Sequence, residues 1–175
     1  MRWVALLRAV NLGSRNKVPM AELRARLEAA GYEDVRTYIA SGNVLLDGPR
    51  GRAPLAKALE RIVADAFGVT TTAILRRPRD LAAMVDAHPF DSETSETHVA
   101  FLSARPTDAG VARLEEAQGA VERAVVVGAD VFLRLPRGVH SSGLSVARVE
   151  SLLDVQATLR NWRTVAALAE LAAEA

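Results

Sequence analysis

The amino-acid sequence predicts an α/β protein of the α+β type, in which the order β-α-β-β-α-β is followed by a second, less complete copy and the chain ends in helices. Three observations support this fold class. Short aliphatic runs alternate with segments whose apolar residues recur at helical spacing. Two turn signals, Ser41-Gly42 and Gly128-Ala129-Asp130, each separate a pair of extended runs. The 175 residues suffice for two small halves that share a core.

The first half is delimited by proline and glycine, which are common at the start and just past the end of helices. The apolar run that opens the chain ends at Asn11 and Gly13, as is typical of a strand. The predicted elements are a strand at 3–10, a helix from Pro19 to Gly31, a hairpin of strands at 35–40 and 43–46, a helix from Pro54 to Gly68 and a strand at 71–76. This order is that of the split β-α-β unit of ferredoxin-like folds.

The second half repeats the pattern less completely. After a helix carrying Leu81 and Met84, the predicted elements are a strand at 98–103, a helix at 107–118, strands at 122–127 and 131–135, a helix opened by Ser145 and a last helix from about Asn161. We therefore expect a degenerate duplication of antiparallel sheets covered by helices. Its halves, 1–76 and 98–175, are joined by a connecting helix and loop at 77–97 and packed as one unit. They share no obvious sequence identity.

Composition excludes several classes of function. The chain has no cysteine, which excludes a disulfide, a thiolate metal site and a cysteine nucleophile. A net charge of +1 gives no strong field that would attract nucleic acid. No apolar stretch reaches the roughly 18 residues of a membrane span, and the opening run leads to no cleavage site for a signal peptide. We expect a cytoplasmic protein that does not bind membranes.

Basic residues gather before the first helix. In the predicted topology, the loop after the first strand and the turn of the central hairpin lie at the same end of the sheet. Cations next to the positive end of a helix are unfavourable unless an anion compensates them. The alternative is that these side chains are solvated and that Ser-Gly-Asn only forms a turn. The candidate ligand-binding residues here are Arg8, Asn11, Arg15, Lys17, Ser41 and Asn43.

A similar cluster precedes the last helix. Arg160 and Arg163 flank Asn161, which is a good N-cap residue, and Thr164 follows. These four residues complete the set of candidate ligand contacts. Pairing of the two arginines with Glu150 or Asp154 is the competing interpretation.

No catalytic motif is present. The sequence lacks a G-x-S-x-G elbow, and Gly13 stands without the second glycine and the Lys-Ser or Lys-Thr of a phosphate-binding P-loop. His88, His98 and His140 lack paired metal spacing, so we predict no metal site. The sequence identifies no cofactor and no catalytic residue. Eight aromatic residues do not provide the stacking platform of an RNA-recognition module.

The leading hypothesis is therefore an anion-binding protein. Its ligand would be a phosphate-bearing or carboxylate molecule, including a nucleotide or a nucleic-acid backbone. One alternative is an enzyme that acts on a small anionic substrate with the same groups as electrostatic stabilisers. Another is a protein-protein interaction module, with self-association through a sheet edge or face.

Four stretches resemble a known bacterial family. They are LLRAVNLGSRNKVPMAEL, TYIASGNVLL, HPF and TLRNWRTVAALAEL, and in this order and spacing they resemble the family catalogued as domain of unknown function 1697. The resemblance implies two ferredoxin-like halves in one α/β unit and no established activity. The chain departs from the family at Ser142-Gly143-Leu144-Ser145, where members tend to carry a Ser-Lys-Leu-type stretch.

Overall fold

The computed structural model of the protein describes residues 1–90 and 94–174. Contacts divide the chain into two compact units. Unit 1 comprises Met1–Ala82 and Leu168–Ala175, and unit 2 comprises Ala83–Ala167. The sequence prediction instead ended the first half at residue 76 and kept the last residues with the second half. Residues 91–93, which belong to the predicted connecting segment, lie outside the described part of the chain.

Unit 1 has a four-stranded antiparallel sheet with two helices between its strands. Its elements are β1 (Arg2–Leu7), α1 (Met20–Ala29), β2 (Glu33–Tyr38), β3 (Asn43–Asp47), α2 (Arg52–Phe67) and β4 (Ala73–Arg76), followed by α3 (Pro78–Asp86). The strand order is β2-β3-β1-β4. Helix α2 begins two residues before Pro54, which the first turn accommodates because the first four N–H groups of a helix have no intrahelical partner.

Unit 2 repeats this arrangement. Its elements are β5 (Thr97–Leu102), α4 (Asp108–Glu116), β6 (Arg123–Val127), β7 (Asp130–Arg134), α5 (Val146–Leu153) and β8 (Ala157–Asn161), followed by α6 (Trp162–Ala173). The strand order is β6-β7-β5-β8, which matches that of unit 1 position for position. The predicted α+β class with duplicated ferredoxin-like units is therefore confirmed.

Strand β8 corrects the sequence prediction, which had no strand between the last two helices. The segment ATLRN holds only Ala157 and Leu159 as apolar residues and runs into α6 without a turn residue. Pairing with β5 along its whole length makes it a strand. The second unit is thus a complete copy of the topology and not a degenerate one.

The strand register reveals sequence identity between the two units that is not obvious from the sequence alone. Val4 pairs with Arg76 and Leu7 with Ala73 in unit 1, and Val99 pairs with Arg160 and Leu102 with Ala157 in unit 2. Aligned on this register, VALL of β1 matches VAFL of β5, and AILR of β4 matches ATLR of β8. The two units therefore share residues at the positions that pair inside the sheets.

The core of unit 1 lies between the sheet and its two helices. Trp3, Ala5 and Leu7 face Leu23 and Leu27 of α1 and the stripe Leu55, Leu59 and Val63 of α2. Val4 and Leu6, which point to the opposite face of β1, are also fully buried. Both faces of the first strand are therefore covered.

The units differ in the lengths of their connections. Between β1 and α1 the chain uses twelve residues, 8–19, whereas five residues, 103–107, connect β5 to α4. The β2–β3 turn takes residues 39–42 and the β6–β7 turn only 128 and 129. At the opposite end of the sheets the difference is reversed. There the connection between β7 and α5 in unit 2 is longer than the connection between β3 and α2 in unit 1.

Replacement of Gly42 should be strongly destabilising. Gly42 has φ +82°, and an added Cβ would lie 2.5 Å from Cγ2 of Val10 and 3.0 Å from Cβ of Leu7. We predict that Gly42→Ala lowers the free energy of unfolding by about 3 kcal/mol, from left-handed strain and overpacking together. Gly68→Ala is the matched control, because Gly68 has φ +65° but no heavy atom within 4 Å of the new Cβ. The control should lose only about 1 kcal/mol in urea denaturation; equal losses would contradict the role of packing under the turn.

His98 should make stability depend on pH. Burial lowers the pKa of the His98 imidazole from its ordinary 6.5, and a hydrogen bond to the Glu96 carbonyl opposes this shift. Below about pH 6.5 the unfolded chain therefore binds a proton that the folded protein does not, so the free energy of unfolding falls as pH decreases towards the folded pKa. We predict a smaller fall for His98→Gln when denaturant unfolding is measured between pH 7 and 5. If the free energy of unfolding fell equally with pH in the parent protein and in His98→Gln, His98 would not be the residue responsible.

Candidate functional site

The long β1–α1 loop is held to the β2–β3 turn by one side chain, that of Asn11. Its Oδ1 accepts a hydrogen bond from Val18 N at 2.8 Å, and its Nδ2 donates to Val18 O at 2.9 Å and to Ala40 O at 2.7 Å. The main-chain N–H of Leu7 also donates to Gly42 O at 2.8 Å. These bonds confirm that the loop and the hairpin turn are neighbours, as the topology predicted. We call residues 8–19 and 39–42 the basic tip.

The loop itself is closed by further hydrogen bonds. Asn16 Nδ2 donates to Ala9 O at 2.7 Å, and Asn16 O accepts from Asn11 N at 2.8 Å. Arg15 N donates to Leu12 O at 2.9 Å, so residues 12–15 form a tight turn. The loop is therefore a defined structure that fixes the backbone positions of the residues it carries.

Strained backbone is concentrated in the basic tip. Six described residues other than glycine have positive φ, and four of them are Ala9 (+57°), Asn11 (+52°), Asn16 (+53°) and Ile39 (+48°). Asparagine tolerates this conformation, but for other L-residues it costs roughly 1–2 kcal/mol. A β-branched residue there is a genuine outlier. Such strain persists where surrounding contacts enforce it, and it is characteristic of functional loops.

Two of the predicted cations are exposed on the tip. The side chains of Arg15 and Lys17 make no ion pair and no hydrogen bond with the described part of the chain. Arg8 is half-buried and its main chain is bonded to the α2–β4 connection, through Arg8 N to Thr72 O and Thr71 Oγ1 to Arg8 O. Helix α1 begins directly after Pro19, which provides no side-chain cap for its first turn. Positive charge thus precedes the N-terminus of a helix whose own first-turn acid, Glu22, pairs with Arg26 at 3.2 Å.

The two polar residues of the hairpin turn have structural roles. Asn43 is completely buried, and its Nδ2 donates to Tyr38 O at 3.0 Å and to Ser41 Oγ at 2.9 Å. Ser41 is half-buried beside it. Both side chains shape the turn, and Asn43 is inaccessible to a ligand in this structure.

The second predicted cluster lies in unit 2, and some of its residues are buried while others are exposed. Asn161 caps α6 as predicted, because its Oδ1 accepts from Thr164 N at 2.9 Å. Thr164 is buried and Arg163 is exposed, with no ion pair or side-chain hydrogen bond to the described residues. The helix begins at Trp162, so Arg160 belongs to β8 and is not part of a helix start.

Arg160 is a buried strand residue. Its Nη1 donates to Thr158 Oγ1 and to Leu159 O, each at 2.8 Å. Burial lowers the pKa of its guanidinium to about 10. The prediction that Arg160 and Arg163 together present two cations at a helix tip is therefore wrong, since only Arg163 reaches the surface.

Metal-ligating clusters and membrane-spanning helices were also sought among the described residues. No group of three or more His, Cys, Asp or Glu side chains in residues 1–90 and 94–174 is arranged to hold a metal ion. Within the same residues, no helix combines the length and the apolar character needed to cross a membrane.

Comparison with known proteins agrees with the fold. The family model described as Protein of unknown function (DUF1697) matches residues 1–132, which include the elements from β1 to β6 and the first three residues of β7. The chain belongs to this family. The TLRNWRTVAALAEL stretch lies beyond the matched residues. Among curated proteins no match is found.

A solved structure shows the same architecture. The conserved bacterial protein SP0830 from Streptococcus pneumoniae is similar to the chain with a TM-score of 0.77 and 25% sequence identity. The similarity covers 98% of each chain. The description of that protein states no activity. The function of the present chain therefore has to be inferred from its own residues.

Two residues of the tip that the sequence did not single out, Leu12 and Ile39, carry large hydrophobic side chains at the surface. The extended run predicted at 35–40 included Ile39, but β2 ends at Tyr38. The Ser41-Gly42 turn signal could have indicated this end of the strand, because the turn that contains these two residues begins at Ile39.

Removal of the Asn11 side chain should loosen the tip. Asn11→Ala leaves the N–H of the buried residue Val18 without its acceptor and places alanine at positive φ. We predict a loss of about 2–4 kcal/mol in the free energy of unfolding. Asn16→Ala, which removes a single side-chain bond from an exposed residue, should cost clearly less. The proposed role of Asn11 would be contradicted if, in the same urea titration, Asn11→Ala lost no more free energy of unfolding than Asn16→Ala.

Proposed function

We propose that the protein binds a phosphate-bearing or carboxylate ligand at the basic tip of unit 1, with Arg15 and Lys17 as its cationic contacts. Nucleotides and nucleic-acid backbones are phosphate-bearing molecules of this kind. We place this activity in the cytoplasm. The observation that carries the proposal is the comparison of the two units. Unit 2 builds the same four-stranded topology with five residues between β5 and α4, so the fold does not require the twelve residues of the β1–α1 loop.

The additional length bears the properties expected of a binding loop. It carries two exposed cations without an internal partner among the described residues, in the segment that leads into α1. Each cation near a helix N-terminus costs roughly 0.3–1 kcal/mol unless an anion is present. An anion bound there would be stabilised by the side chains and by the helix N–H groups together.

Hydrogen bonding makes the loop suitable for this role. Because Asn11 and Asn16 fix its backbone, little conformational entropy remains to be lost when a ligand binds. The strained conformation at Ala9 is consistent with a loop whose shape serves binding and not stability.

Ligand-induced stabilisation provides the test. We predict that phosphate, sulfate, a nucleoside monophosphate or a short RNA raises the melting temperature, by roughly 5–10 °C at about 100 times its dissociation constant. Lys17→Ala and Arg15→Ala should abolish most of this shift. Lys57→Ala and Arg61→Ala, which remove exposed cations from α2, are the matched controls and should retain it. Full shifts in both tip variants, or no shift with any anion, would refute the proposal.

Binding of a nucleic-acid backbone predicts an additional property. Its affinity should fall steeply with salt, since each neutralised phosphate releases counterions. With two exposed cations at the tip, the logarithmic slope should be about −2 at most. A fluorescence titration of labelled RNA between 50 and 200 mM salt measures it.

A further inference from the structure

The basic tip also carries the two most exposed large hydrophobic residues among those the structure describes. Leu12 is 51% exposed and Ile39 is 52% exposed. Leu12 directly follows Asn11 and Ile39 directly precedes Ala40, and the Asn11 Nδ2 to Ala40 O bond of 2.7 Å joins these neighbours. Leu12 and Ile39 are therefore each one residue away from the hydrogen bond that joins the two connections, in the same tip that carries Arg15 and Lys17.

Neither the backbone nor the core explains an isoleucine at position 39. At φ +48° the turn would favour asparagine or glycine, which adopt this conformation readily, over a β-branched residue. Half of the side chain is in solvent, so it adds little to the core. Position 39 thus carries backbone strain and exposed apolar surface at once, which is expected of a residue that contacts something outside the chain.

The combination of charge and apolar surface defines the ligand's chemistry. An inorganic anion would use only the cations, whereas an anion attached to an apolar group would also cover Leu12 and Ile39. The patch consists of four side chains, whereas a stable protein interface uses about 20–30 residues on each side. A small amphiphilic anion matches this size better than a protein partner does.

We propose that the ligand of the basic tip is a nucleotide, with its phosphate at Arg15 and Lys17 and its base against Leu12 and Ile39. This inference rests on the proposed anion-binding function. Bases pack on apolar as well as aromatic side chains, so aliphatic residues are chemically suitable contacts. A nucleotide joins a phosphate to a flat ring whose faces can pack on apolar side chains.

A series of three probes separates the contributions. Binding of inorganic phosphate, ribose 5-phosphate and adenosine monophosphate is measured by isothermal titration calorimetry on the full chain. We expect adenosine monophosphate to bind at least 10-fold more tightly than ribose 5-phosphate. Equal affinities would overturn the nucleotide assignment and leave the anion-binding proposal in place. If none of the three binds, the proposed function itself fails.

Two variants test the apolar contacts. Ile39→Asn should abolish the advantage of adenosine monophosphate over ribose 5-phosphate while raising the melting temperature of the free protein by a few degrees, because asparagine tolerates positive φ. A loss of affinity in a stabilised protein cannot be attributed to unfolding. Leu12→Ser should reduce the same advantage several-fold.

Val121→Ser is the matched control, since Val121 is an exposed hydrophobic residue of unit 2. It should leave all three affinities unchanged. An unaltered preference for adenosine monophosphate in both Ile39→Asn and Leu12→Ser would overturn the proposal. Binding of an acidic peptide or of anionic vesicles through these residues, with no preference for the nucleotide, would also overturn it.

Discussion

The central strand of each sheet is the constraint on which the rest of the structure depends. Strand β1 pairs with β3 on one side and β4 on the other, and its residues from Trp3 to Leu7 are all buried. A slip of one residue would exchange the two faces of the strand, so burial on both sides fixes the register with both neighbours. The same register recurs around β5 even though Leu6 is replaced by Phe101. The two units share the pairing pattern at all these positions and the side-chain identity at most of them.

This constraint leaves the connections free to differ, because turns at the ends of strands do not take part in the register. Unit 1 uses that freedom to build the basic tip, whose shape depends mainly on the three side-chain hydrogen bonds of Asn11. The tip stores strain at Ala9 and Ile39, whereas the β5–α4 connection and the β6–β7 turn of unit 2 contain no residue other than glycine with positive φ. Stability is supplied by the sheet and its two helices, so a loop of this kind can be selected for binding at a tolerable loss of free energy.

Most of the fold was predictable from the sequence because proline, glycine and periodicity mark the ends of the elements. The hairpin at Ser41-Gly42 and the helix closed by Gly68 lie where those signals place them. Strand β8 was not predictable in this way, since its five residues have few apolar members and become a strand through pairing with β5. Ile39 was misassigned for the converse reason: a regular pattern continued past the point where the backbone turns.

The candidate site shows why charge patterns need the fold before they can be interpreted. In the sequence, two basic residues next to a helix start were the signal in both clusters, but Arg160 is buried while Lys17 is exposed. The register explains the difference, because Arg160 occupies the same sheet position as Arg76. Both guanidinium groups are buried, and each donates to the carbonyl of the preceding residue, at 2.8 Å for Arg160 and 2.9 Å for Arg76. A buried arginine that recurs at equivalent positions belongs to the architecture of the repeated unit. Arg15 and Lys17 lie in a loop segment that has no counterpart in unit 2, so their charge requires an explanation outside the fold.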